Sequence, residues 1–163
     1  MSEEPRDLLG LIRGGEGAIT GTVVCAAAIA VGTEHGGTIG RLILVIMGTV
    51  AVYWVAHLHA VTLGRALTHR HHPLAALRFA FRETLPILGA SVVPLAVLLA
   101  AFVLGAEVRN AAWIALGATV ALLTVYSYVA GARGGMEVRG RVLCALAGAA
   151  VGLLVVLLKV GLH

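Results

Sequence analysis

Five stretches of this chain contain no Asp, Glu, Lys or Arg: Gly17–Thr33, Leu42–Gly64, Thr84–Ala106, Asn110–Ala132 and Val142–Leu158. They are 17, 23, 23, 23 and 17 residues long and cover 103 of the 163 residues. A helix rises about 1.5 Å per residue, so about 20 apolar residues cross a hydrocarbon core about 30 Å thick. The middle three runs meet that length, and the outer two reach it with their flanks. Leu8, Leu9, Leu11 and Ile12 precede the first run, with Arg13 and Glu16 near the interface. Gly161 and Leu162 follow Lys159 in the last, whose stem can snorkel outward. No run alternates apolar and polar residues as a barrel wall would. The expected fold is all-α: a polytopic membrane bundle of five transmembrane helices, four remaining open, with the N-terminus inside. It forms a single transmembrane domain over 1–163, with spans near 14–33, 42–64, 85–105, 110–132 and 142–160.

Composition agrees. The chain is 60% apolar and 12% charged, with mean hydropathy +0.98. A soluble domain carries about twice that charge, and disorder requires low hydrophobicity. With five spans, the inside segments hold Arg6, Arg13, Arg65, Arg70, Arg78, Arg82, Arg133, Arg139 and Arg141, and the outside ones only Arg41, Arg109 and Lys159. That bias fits the positive-inside rule. It also accounts for the pI near 9.7 through contact with anionic lipid, so the partner expected is the bilayer and not nucleic acid. The acidic leader Met-Ser-Glu-Glu-Pro-Arg-Asp argues against a cleaved signal peptide. Eleven of the twelve basic residues are Arg, a bias of GC-rich bacterial genomes that points to a multi-pass protein of the bacterial inner membrane. Cys25 and Cys144 lie in the first and last spans and read as small packing residues.

The connection Arg65–Glu83 is the longest outside the spans. Leu74, Leu77, Phe81 and Leu85 recur on one face with Arg78 and Arg82 on another, so 73–83 reads as an interfacial helix or as a solvated basic loop. Gly17/Gly21 and Gly148/Gly152 are GxxxG pairs that serve packing within the bundle or a homodimer. Pro86 reads as an early-turn residue of the third span, while Pro94 removes a hydrogen bond near its middle.

Three polar features could carry chemistry. His57 and His59 lie inside the second span, and at i and i+2 they point to nearly opposite faces. Ionisable groups at that depth are functional candidates, against the alternative of histidines bonded to a carbonyl or Thr. Glu16 stands at the inner edge of the first span, four residues before Thr20. It reads either as a carboxylate favoured at a helix N-terminus and paired with Arg13, or as a group level with residues 57–59 across a tight outer loop. The trio His69, His71 and His72 has no Cys or carboxylate at ligand spacing and reads as solvated. Glu137, between Arg133 and Arg139, reads as a paired loop carboxylate. No nucleotide, hydrolase or zinc-protease motif is present, so enzymatic activity and a bound cofactor are not expected.

The order of features resembles the vacuolar iron transporter family. Arg13-Gly14-Gly15-Glu16-Gly17 is similar to that family's Gly-x-x-Asp-Gly entry to its first span, with Glu16 in the acidic place. His57, eight residues before Arg65, falls where the family carries a glutamate. Gly89-Ala90-x-x-x-Pro94-Leu95 resembles the family's Gly-Ala-x-x-Pro-Leu third span with one extra residue, and Ala130-Gly131-Ala132-Arg133 resembles the exit of its fourth. The family's long cytoplasmic metal-binding insert is missing, with Arg65–Glu83 in its place. The resemblance implies a small dimeric transporter of iron or manganese, with Glu16 and His57 at the metal-ligand positions; Thr20 and His59 stand beside them as weaker candidates. A carboxylate with a neutral imidazole suits Fe²⁺, Mn²⁺ or Zn²⁺ as cargo. The alternative is a non-transporting structural or accessory membrane protein that binds a partner through small-residue helix faces.

Overall fold

The structure, a computed structural model, describes residues 15–33, 38–69 and 73–161. Every element among them is a helix: α1 (Gly15–Gly32), α2 (Ile39–His69), α3 (Pro73–Val103), α4 (Val108–Arg133) and α5 (Val138–Gly161). Four of these, α2 to α5, are long and apolar enough to cross a membrane, and α1 is a shorter apolar helix over Gly17–Gly32. The chain is thus an all-α bundle of the kind that resides in a lipid bilayer.

The helices outrun the uncharged stretches that define them. α2 and α3 are 31 residues each, about 46 Å at helical rise. Arg, Leu and Glu are good helix formers, so a charge that ends the apolar run need not end the helix. The segment 73–83 is therefore the first third of α3, continuous with the third span, and not a separate interfacial helix. Its buried face and its leucine face are different ones. Ala80, Thr84 and Ile87 are buried, while Leu77, Phe81 and Leu85 are exposed. Pro86, expected in an early turn, lies well inside α3 together with Pro94.

Two tight turns join α3 to α4 and α4 to α5 by one device. Gly105 has φ +95° and Gly135 φ +71°, a conformation Gly enters without a Cβ penalty. At the first turn Ala106 N–H donates to Ala101 O and Gly105 N–H to Phe102 O; at the second Met136 N–H donates to Gly131 O and Gly135 N–H to Ala132 O. Both are Schellman closures, which satisfy carbonyls left open at a helix end. Each runs into Gly-x-Glu-Val-Arg, at 105–109 and 135–139, which puts a glutamate at the positive end of the next helix. Glu137 is exposed in the turn, and no ion pair joins it to Arg139 among the described residues.

α1 is the hub. It packs against each of the other four helices, while α2, α3, α4 and α5 follow one another in an arc around it and no extensive contact joins α5 to α2. Ala18, Gly21, Thr22, Cys25, Ala26, Ala28, Ile29 and Ala30 are buried. Thr20, Val24, Ala27 and Val31 share the side of α1 left partly open. Both GxxxG pairs are used inside the bundle. A Cβ on Gly21 would overlap the Ile87 carbonyl of α3, and one on Gly148 would lie 2.5 Å from Leu123 O of α4. A Cβ on Gly152 would lie 3.0 Å from Val120 Cα. The absent side chains let backbones approach, which is how helices gain dispersion contacts where lipid offers no hydrophobic drive.

Candidate functional site

The phase of α2 separates the two histidines. Leu42, Ile46 and Val50 are buried against the core that includes α1, and Tyr53 and His57 continue that line by steps of three and four. His57 is half-buried and stacks on Tyr53, with ring centroids 6.0 Å apart and planes 15° from parallel. His59 lies on the opposite side and is exposed.

The register of α1 against α2 sets their depths. A Cβ on Gly32 would touch Leu42 Cδ1 at 2.7 Å, so these two positions face one another. From there α1 runs 32 − 17 = 15 residues back to Gly17, and α2 runs 57 − 42 = 15 residues forward to His57. The two helices are antiparallel, so Gly17 and His57 arrive at about the same depth, about 22 Å from the starting level. The backbone of Glu16 stands one residue further on, in the first turn of α1. The side chain of Glu16 lies outside the described residues, as do those of His69, His71 and His72. Residue 16 shares the helical register of Thr20, on the partly open side of α1. Among the described residues, no three His, Cys, Asp or Glu side chains come together.

Nearby, α2 and α3 are joined by polar contacts. The Trp54 indole N–H donates to the Thr84 hydroxyl at 3.1 Å, and the Trp54 ring meets Phe81 edge-on at 5.4 Å. Arg65 donates through Nε and Nη2 to Glu83 Oε2 at 3.0 and 2.6 Å. The interior of α1 and α3 is polar but satisfied. The Ser91 hydroxyl donates to Ile87 O or Gly21 O, and Thr22 to Ala18 O. Both cysteines are free, Cys25 buried and Cys144 half-buried, in keeping with packing roles.

Lys159 departs most from expectation. Its stem does not carry the ammonium outward; the side chain is fully buried. Nζ donates to Ala30 O at 3.4 Å and to the Thr33 hydroxyl, and lies 5.5 Å from the Trp113 ring centroid. The last carbonyls of α1 carry the negative end of its dipole, so a cation there is favourable, and the indole face adds to it. Sequence reading missed this residue because a lysine three places from the end of a span looks interfacial.

The fold and these contacts define the class: an integral membrane helix bundle whose central helix is fastened at one end by a buried lysine. Compared with family models, curated proteins and solved structures, the chain matches none.

Proposed function

We propose that this protein is a small transporter of a first-row divalent cation, Fe²⁺, Mn²⁺ or Zn²⁺, with Glu16 and His57 as its entry ligands. The observation that carries this reading is the placement of His57. It continues the bundle-facing line of α2 and reaches the depth of the first turn of α1, where Glu16 is. A carboxylate with an imidazole suits these ions and leaves positions for water. Thr20, one turn beyond Glu16, is the nearest further oxygen on the same register. His59 faces away and is assigned no ligand role. Because an imidazole ligates only when deprotonated, uptake should fall as pH falls.

The test is uptake of each ion by proteoliposomes. Glu16→Gln and His57→Ala should each abolish transport with the protein still folded, and His59→Ala should leave most of it. Transport that survives both changes removes the reading. A second reading is favoured by the open side of α1. Thr20, Val24, Ala27 and Val31 remain partly uncovered where α5 and α2 do not close the arc. An accessory protein could receive a partner's helix there, and not at the glycine pairs, which are already filled from within. On this reading the parent protein should show no cation uptake, and a bulky Ala27→Leu should block capture of the partner's helix.

A further inference from the structure

The outer side of α3 carries a second pattern. Arg78, Arg82, Leu85, Val92, Ala96, Leu99 and Val103 follow one another by steps of three, four or seven, so they form one stripe. All are exposed, on the side opposite the buried Ala80, Thr84, Ile87, Pro94 and Leu98. The lower part of the stripe is apolar and the top holds two arginines. From Val103 to Arg82 is 103 − 82 = 21 residues, about 31 Å of helix, which is about one hydrocarbon thickness. With Val103 at one boundary, Arg82 stands at the phosphate level of the other leaflet and Arg78 about one turn beyond.

The arginines there are also uncompensated. Glu83, the acidic residue beside them, is engaged by Arg65 at 2.6 Å. Neither Arg78 nor Arg82 makes an ion pair or side-chain hydrogen bond among the described residues. Two guanidinium groups four residues apart on one helix face can share a phosphodiester through several N–H donors, a geometry to which Arg is better suited than Lys.

We infer that this stripe is a binding site for an anionic phospholipid, the phosphate held by Arg78 and Arg82 and an acyl chain lying along Leu85, Val92, Ala96 and Leu99. Charge complementarity selects the headgroup and the stripe's length selects a lipid over a small anion. The site is independent of any cation path through the bundle.

The experiment uses the full chain in detergent and measures binding of fluorescent phosphatidylglycerol, with phosphatidylcholine as the neutral comparison. Each arginine beside an anionic headgroup is worth about fivefold, so Arg78→Gln with Arg82→Gln should weaken phosphatidylglycerol binding about 30-fold. Arg109→Gln with Arg139→Gln removes equal charge elsewhere and should leave binding within about twofold. Arg78→Lys with Arg82→Lys should retain an intermediate affinity. Equal losses in the two glutamine pairs would reduce the site to diffuse charge and overturn the inference. So would equal binding of the two lipids, or displacement of the lipid by millimolar inorganic phosphate.

Discussion

Replacing Gly148 by Ala tests how the bundle is held together. A Cβ at this position would overlap the Ser127 hydroxyl, lie 2.5 Å from the Leu123 carbonyl oxygen and 2.8 Å from Ser127 Cβ. Ordinary contact begins near 3.4 Å, so Leu123 O would have to retreat by 3.4 − 2.5 = 0.9 Å. The Ser127 hydroxyl can rotate away. A helix carbonyl cannot retreat that far without moving the helix that carries it, so α4 and α5 must separate locally. Adding a methyl to a filled contact costs about 1–3 kcal/mol, against about 0.5–1 kcal/mol gained by exchanging Gly for Ala within a helix. The net loss against the parent is about 0–2.5 kcal/mol, and against a glycine-to-alanine change that meets no neighbour it is about 1–3 kcal/mol, or about 2–12 °C of melting temperature for a chain of this size.

The control is Gly117→Ala on the exposed side of α4, where an added Cβ meets nothing within 4 Å. It receives the same helix gain without the collision and should melt at or slightly above the parent. Thermal unfolding of both variants in one detergent measures the difference. If Gly148→Ala melts level with Gly117→Ala, the close α4–α5 approach is not what holds these helices, and the packing argument fails. Gly152→Ala, whose nearest atom would be Val120 Cα at 3.0 Å, should fall between the two.

Three further outcomes are expected. Lys159→Met removes the donor to Ala30 O and Thr33 and should lower the melting temperature by about 2–8 °C, from about 1–2 kcal/mol of lost hydrogen bonding; an unchanged value would mean that the cost of burying the ammonium cancels its bonds. Maleimide labelling of the folded protein, read by mass spectrometry, should give one adduct, on half-buried Cys144 and not on buried Cys25; two adducts would show that the α1–α3 seam opens. Glu83→Gln should change stability by less than about 1 kcal/mol, because the pair with Arg65 is exposed on both sides, and a larger loss would mark the α2–α3 hairpin as dependent on it.

Much of this architecture is legible in the sequence because the membrane imposes a length. The uncharged runs locate all five helices, and the charged breaks that separate the last three runs locate two turns. What the runs do not give is phase. In a soluble helix the apolar stripe marks the inner face, but in lipid both faces are apolar. Leu42 and Ile46 are buried while Leu44 and Met47 are exposed, and no difference in hydropathy separates them. The i, i+2 spacing therefore set His57 and His59 on opposite sides without saying which turned inward. Lys159 was illegible for a related reason: its acceptors Ala30 and Thr33 come from positions 129 and 126 residues away. Whether an ammonium turns in or out depends on that distant helix end being there to receive it.

The shortest described helix holds the centre, and its composition suits that place. The described part of α1 is 18 residues long, about 27 Å. All four other helices pack on it, and one side is left partly open. Its small residues then become an advantage: Ala18, Gly21, Ala26, Ala28 and Ala30 let neighbours approach closely from several directions. The two ends are treated differently. At Thr33 the helix is fastened by Lys159 and abutted by Leu42; at Gly17 it leans on Pro86 and Ile87. A change at Gly21, which packs on Ile87 of α3, should therefore be felt first at the Glu16 end, and loss of Lys159 first at the Thr33 end.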